Sequence, residues 1–489
     1  MKRIFLPFLP LLMWAAFVSP AAAAVRTLEL GMSGSDVTAA QQALIKGGYL
    51  SGSATGYFGQ LTLAAVQKLQ CAKAIACDSA TQGYGLIGPK TQAALQLALA
   101  PKQPTTANVS TAALTAVATG KFEVSGWVPD WRAASGTIDV TPHLGSMTSV
   151  MPFGFTMSAS GHVLDKAHLD QEPWTSLIAA AKAQGTRVIP TIMWGSGTEI
   201  QAVLSDSTKR VALEDEIVAL VKARGYDGID IDFEAKQAGT INYFSTFLKG
   251  LYQRMGQKWV YCTVEARMPL EDRYLPGQTI PPDATQYAND YTAMNTYCDR
   301  IEIMAYDQGT VDLRLNAARV APYAPVADPG WVENIVRVAA QTISRNKLVL
   351  GLATYGYEYQ VTPSPGGYIY QRLWAFNPTY GLKIAAQLGI TPARTSANEI
   401  GFVYDPARLA AAAPTGNNIT ETQQSTPTTS VAQNLGGTAS AMQTFNYMTW
   451  SDAQAIADKV ALAHRLGLRG VAVFSLGGAE DQAMWNILK

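Results

Sequence analysis

Four acids stand within eight positions of this 489-residue chain, in Asp227-Gly228-Ile229-Asp230-Ile231-Asp232-Phe233-Glu234. The residues between them are β-branched or aromatic, so the segment is predicted to be a strand. Side chains alternate along a strand, which puts Asp230, Asp232 and Glu234 on one face and Ile229, Ile231 and Phe233 on the other. Same-face Cα atoms then lie roughly 6.6 Å apart, close enough for the carboxyl groups to interact. Like charges on one low-dielectric face cannot all ionise cheaply, so at least one acid is expected to keep its proton near neutral pH. Acid catalysis needs such a group. Asp227 has the opposite parity and is assigned a structural role. A solvated edge strand is disfavoured by the flanking apolar residues. A calcium loop is excluded by Ala235 and by the Ile and Phe between the acids.

Something must hold this strand. Strand-like runs at 122–127, 149–155, 187–193, 228–233, 259–266, 299–306, 348–355 and 470–476 alternate with helix-like runs such as 209–224, 241–255, 331–345 and 452–466. Eight strands in β/α alternation predict an α/β fold, a (β/α)8 TIM barrel over 121–489. Reactive groups of such barrels collect at the C-terminal strand ends, and Glu234 falls at the end of the fourth. About 90 residues between Tyr355 and Trp450 are too many for a simple loop and predict an inserted subdomain, about 357–446, after the seventh strand. Within it, 415–443 is nearly uncharged and rich in Ser, Thr, Asn, Gln and Gly, so mobility is expected there.

Residues 1–24 read as a secretory signal: Lys2 and Arg3, an apolar stretch from Ile4 to Val18, and small residues at Ala21 to Ala24. Export follows, to the periplasm, the cell wall or the medium, with no membrane attachment once the signal is removed. In 25–100, Gly56-Tyr57-Phe58-Gly59-Gln60-Leu61-Thr62 recurs 29 residues later as Gly85-Leu86-Ile87-Gly88-Pro89-Lys90-Thr91. Each copy places a Thr near a helix start, and Asp36 to Lys46 reads as a further helix, giving a small three-helix domain. Residues 101–120, rich in Ala, Thr and Pro, form a linker that spans roughly 25 Å if coil-like.

The acid run D-x-x-D-x-D-x-E resembles the signature of glycoside hydrolase family 18, the chitinase-like enzymes. Met304-Ala305-Tyr306-Asp307 matches the family's M-x-Y-D motif, and Gly126-Trp127-Val128-Pro129-Asp130-Trp131 its opening segment. The resemblance implies a retaining, substrate-assisted glycosidase with Glu234, Asp232, Asp230 and Tyr306 as catalytic groups. Met304 and Asp307 would shape the sugar pocket. Trp127, Trp131, Trp194, Tyr355 and Phe474 are candidates for the sugar cleft. Phe474 stands where the family usually has Trp, with less stacking area and no N–H donor. The first domain resembles a peptidoglycan-binding domain, through Gly34-Ser35-Asp36-Val37, Gly48-Tyr49 and both repeat copies.

Charge is balanced at 37 basic and 37 acidic residues, which indicates no nucleic-acid partner. Four cysteines and four histidines without C-x-x-C spacing predict no metal site, and no cofactor is required. Cys71 and Cys77 are close enough to pair; Cys262 and Cys298 are either a second disulfide or free buried thiols. A monomer is expected. The expected substrate is a peptidoglycan or chitin-type glycan, with a non-catalytic glycan-binding protein as the alternative from another class. A serine hydrolase is disfavoured because Trp194-Gly195-Ser196-Gly197 lacks the full G-x-S-x-G elbow.

Overall fold

The computed structural model describes residues 27–96, save for 31–34, 53, 55–57, 79–80 and 82, and residues 120–489, save for 365–366 and 409–443. The expected signal segment, almost all of the expected linker and the stretch 415–443 lie outside the described residues. The chain divides into two units, Met1–Ser110 and Thr111–Lys489.

In the first unit, helices Ser35–Lys46, Gln60–Ala72 and Pro89–Ala94 enclose a core of Leu28, Val37, Leu44, Phe58, Val66, Leu69 and Ile87. The 29-residue repeat runs deeper than the glycine motif. Gln41 Nε2 donates to Thr62 Oγ1 at 2.9 Å, and Gln70 Nε2 to Thr91 Oγ1 at 3.0 Å. The helices start at Gly59 and Gly88 without a side-chain cap. The two threonines therefore serve as buried acceptors and not as caps. Satisfying a buried amide with a buried hydroxyl avoids the cost of an unpaired polar group. Cys71 and Cys77 are joined by a disulfide.

The second unit contains eight parallel strands: β1 Glu123–Pro129, β2 Ser149–Met157, β3 Thr191–Trp194, β4 Gly228–Phe233, β5 Trp259–Glu265, β6 Arg300–Met304, β7 Leu348–Ala353 and β8 Gly470–Phe474. Each pairs with the next, and β8 pairs with β1, so the sheet closes into the expected barrel. Closure leaves every strand buried between an interior and an outer helical layer. Trp127, Met151, Ile189, Tyr261, Val349 and Ala472 pack inside. Outside, Phe233 of β4 stacks on Phe247 of helix Ile241–Met255, ring centroids 5.5 Å apart. Aspartates cap the helices Ser207–Ala223, Pro329–Ala339 and Ala453–Arg465. The helix expected over 331–345 ends at Ala339. Beyond it, Ser344 N is taken by Asn295 Oδ1 at 2.9 Å, which a continuing helix would not allow.

The insertion after β7 is a five-stranded antiparallel sheet in the order Gly367–Phe376, Gly356–Ser364, Phe445–Trp450, Ile400–Tyr404, Ala393–Arg394. Helix Pro378–Leu388 covers it through Phe376, Ile384, Leu388, Phe402 and Trp450. Cys262 of β5 and Cys298, just before β6, form a disulfide, which resolves the alternative of free thiols. No helix among the described residues is long and apolar enough to cross a membrane.

Candidate active site

Strand β4 sends Asp230 and Asp232 into the barrel, and Glu234 follows at its C-terminal end with its N–H held by Trp194 O at 2.8 Å. Asp230 is fully buried and accepts from three donors: Trp127 Nε1 at 3.1 Å, Thr191 Oγ1 at 2.8 Å and Thr263 Oγ1 at 2.9 Å. Burial nonetheless pushes its carboxyl up to about 6, because loss of water outweighs the donors. Asp232 lies well above the usual carboxylate range, through burial first and then the charges of Glu234 and Asp230. Glu234 is pushed up to about 7 by burial and then by Glu265, while Lys236 pulls it down. Glu302 of β6 is also fully buried and held well above its ordinary range by burial and then by Asp230. Burial therefore raises every carboxyl of this column above its ordinary range, Glu234 to about 7.

Aromatic rings form the floor beside this column. The Phe474 ring centroid lies 6.0 Å from Trp127, 6.5 Å from Trp131, 6.0 Å from Phe153, 5.9 Å from Tyr306 and 6.2 Å from Tyr355. Phe474 is thus the hub of the cluster, and Trp131, 47% exposed, is its open edge. Tyr306 is buried, and its hydroxyl is pushed well above the usual range by burial and then by Asp232, so it stays a neutral donor. Its neighbour Asp307 adopts a left-handed backbone (φ 63°) and accepts at Oδ1 from Tyr355 Oη at 2.5 Å and Tyr357 Oη at 2.6 Å. Tyr357 is the second residue of the insertion's first strand, so the insertion helps to build the site. Met304 is half-buried at the end of β6.

Gly351 of β7 makes room for Tyr306. A Cβ there would lie 2.5 Å from Ile303 O and 2.9 Å from Tyr306 Cε1. We expect Gly351→Ala to displace the ring, to cost about 1–3 kcal/mol of stability and to lower turnover about tenfold. Thermal melts and steady-state kinetics check this, and a variant as active as its parent would contradict it.

Two expected cleft aromatics stand elsewhere. Trp194 is 2% exposed, meets Phe233 edge-on at 5.3 Å in the outer core and donates its N–H to Glu199 Oε2 at 3.1 Å. It therefore offers no ring face to a sugar. Trp127 is likewise buried and acts on Asp230, not on the cleft surface. Asp227 Oδ2 accepts from Val188 N at 2.9 Å, a staple between strands at the far end of the barrel. Ser196 is a helix cap that accepts from Glu199 N.

Sequence reasoning missed Thr191, Thr263, Glu302, Phe153, Tyr357, Lys236 and Glu265. A signal existed for three of them. Thr191, Thr263 and Glu302 are polar residues at inward parity in strands whose outward faces are apolar, and Thr191 sits in register with Asp230.

A closed (β/α)8 barrel with buried carboxyls raised above their ordinary range and an aromatic floor at one strand mouth suits acid chemistry on a ring-shaped polar ligand. The chain belongs to glycosyl hydrolases family 18, whose family model matches residues 127–479. A peptidoglycan-binding domain model matches residues 33–95. The chain is 24% identical over 159 residues to the uncharacterized glycosylase YvbX of Bacillus subtilis (strain 168), which covers 32% of this chain and 42% of that one. It is 25% identical over 207 residues to the cortical fragment-lytic enzyme of the same organism, covering 40% and 43%. The alignments thus span less than half of these curated relatives. Among solved structures, the spore cortex-lytic enzyme SleL of Bacillus megaterium QM B1551 shares the fold at TM-score 0.54 and 18% identity, over 75% of this chain and 73% of that one. A chitinase from Chromobacterium violaceum ATCC 12472 does so at TM-score 0.54 and 19% identity, over 75% and 98%.

Proposed function

We propose that the protein is an exported retaining glycosidase that hydrolyses β-1,4 bonds next to N-acetylglucosamine in peptidoglycan. The observation that carries this reading is the column Asp230, Asp232, Glu234, with the Glu234 carboxyl raised to about 7 by burial at the mouth of β4. The choice of polymer rests on the match of the first domain to a peptidoglycan-binding family.

In this reading Glu234 gives its proton to the leaving oxygen as the C1–O bond breaks. Most retaining glycosidases use a second carboxylate as nucleophile, but family 18 relies on the substrate. The acetamido oxygen attacks C1 and closes an oxazolinium ring. Asp232, protonated toward a neighbouring carboxylate, keeps its other oxygen free to accept the acetamido N–H. Asp230, locked by Trp127, Thr191 and Thr263, anchors it from below. Tyr306 donates its neutral hydroxyl to the acetamido carbonyl, while Asp307 and Met304 shape the pocket. Water then attacks C1 and loses its proton to Glu234, the ring opens, and the configuration is retained. Trp131, Tyr355 and Phe474 supply apolar faces for the sugar. The disulfides Cys71–Cys77 and Cys262–Cys298 support an oxidising, extracytoplasmic compartment.

Chitin offers the same acetamido sugar, so the test uses both polymers. The protein and its Glu234→Gln variant are incubated with purified peptidoglycan and with chitin, and new reducing ends are identified by mass spectrometry. New N-acetylglucosamine ends from peptidoglycan, absent with Glu234→Gln, are the expected result. Products from chitin alone would move the substrate. Glycan binding without any product would replace the hydrolase with a binding protein.

A further inference from the structure

Glu234 is followed by Ala235, in a left-handed conformation (φ 54°), and Lys236, whose side chain is entirely buried. A buried lysine is expensive unless it is paired. Its Nζ donates to the Phe233 carbonyl, lies 3.8 Å from Glu265 Oε2 and sits 4.7 Å from the Phe244 ring centroid. From the end of β5, Glu265 Oε1 accepts the Ala235 N–H at 3.1 Å. Its Oε2 accepts from Asn289 Nδ2 at 2.8 Å. The two peptide groups that flank Glu234 are thus held by the two members of one ion pair, Phe233 C=O by Lys236 and Ala235 N–H by Glu265. Gly197 leaves space for this turn, since a Cβ there would lie 2.1 Å from Ala235 O.

We propose that Lys236 and Glu265 form a positioning pair that fixes the backbone of Glu234 and sets, by their opposed charges, the pH range over which its carboxyl holds a proton. The proposal rests on the reading of Glu234 as the acid. The charged groups facing Glu234 are Asp232 on its own strand, Glu265 from β5, Asp307 after β6 and Lys236. Those facing Lys236 are Glu265, Asp232 and Glu234, and the helix packed against it presents the uncharged Phe244 ring. A cation beside a carboxyl favours its ionised form, and an anion favours its protonated form. The pair therefore makes predictions of opposite sign, which loss of structure would not produce.

The test is the pH profile of kcat/KM for the full chain, Lys236→Met and Glu265→Gln. Lys236→Met is expected to move the basic limb up by roughly one pH unit and Glu265→Gln to move it down by a similar amount. In both variants kcat falls while KM stays within about twofold, because the acid and not sugar binding is disturbed. Difference carboxyl ¹³C NMR against Glu234→Gln reads the same two shifts without turnover. It therefore tests the pair even if Glu234→Gln proves active and the acid assignment fails. Should Lys236→Met not fold, the downward shift in Glu265→Gln, whose side chain is 41% exposed, still decides. Shifts in one direction in both variants, or none in either, would overturn the proposal.

Discussion

Glu234→Gln is expected to cut turnover by about 10³-fold and, in the same protein, to make the barrel harder to unfold above neutral pH. The first effect follows from loss of the proton that the leaving oxygen needs, since glutamine fills the same space but cannot donate and retrieve it. The second follows from linkage. The folded carboxyl sits at about 7, against an ordinary value of 4.5, chiefly because it is buried. Between those values the folded state binds a proton that the unfolded chain has released. The stability that depends on this group is therefore greatest below about pH 4.5 and falls as pH rises towards 7, with no further loss beyond. The loss is on the order of 1–3 kcal/mol, reduced from the full linkage value because the group is partly exposed and interacts with Asp232. Glutamine is neutral at every pH and removes that loss. Melting temperatures of parent and variant should agree near pH 4 and separate by a few degrees at pH 8, with the variant higher. An equal difference at both pH values would show that packing, not proton binding, separates the proteins. The predicted gain and the predicted loss of activity have one cause: the Glu234 carboxyl is poorly solvated and stands beside two buried ones.

Much of that cause is written locally. Alternation at 228–234 suffices to put Asp230, Asp232 and Glu234 together, because one strand carries the first two, Glu234 directly follows it, and a closed barrel fixes which face is inside. The same parity argument, carried one strand further, also places Trp194. Thr191 points inward beside Asp230, so Trp194 shares the outward parity of Phe233, with which it is in register. An aromatic near a strand end is thus a poor guide to the cleft until its parity is counted. What could not be read is the set of partners supplied by other elements. Glu265 reaches Ala235 across 30 positions and Tyr357 reaches Asp307 across 50. Both contacts depend on strand register and on how the insertion begins, and no local pattern records either. Lys236 was hidden for a different reason: a lysine after a strand reads as solvated, and only the fold reveals that the turn at Ala235 drives it inward.

Removal of the Cys262–Cys298 disulfide is expected to cost the barrel about 3–4 kcal/mol. The bond joins positions separated by 36 residues, so its loss frees a long loop in the unfolded chain. The loop contains the end of β5, with Glu265, and the segment that supplies Asn289, so the disulfide also ties down the support of Glu234. The Cys71–Cys77 bond closes only 6 residues and should contribute about 2 kcal/mol to its own domain. The double variant Cys262→Ala/Cys298→Ala should therefore melt roughly 5 °C lower. Denaturant titration should give a lower midpoint with little change in slope. Both cysteines are completely buried, so two alanines also leave unfilled volume, and the entropic share needs a separate measurement. Reduction of the native protein in denaturant, followed by unfolding with the thiols kept free, leaves the packing atoms in place. Nearly the full loss should persist under those conditions. If only the alanine variant is destabilised, the disulfide acts as a core filler, and the loop between β5 and β6 is held by its other contacts alone.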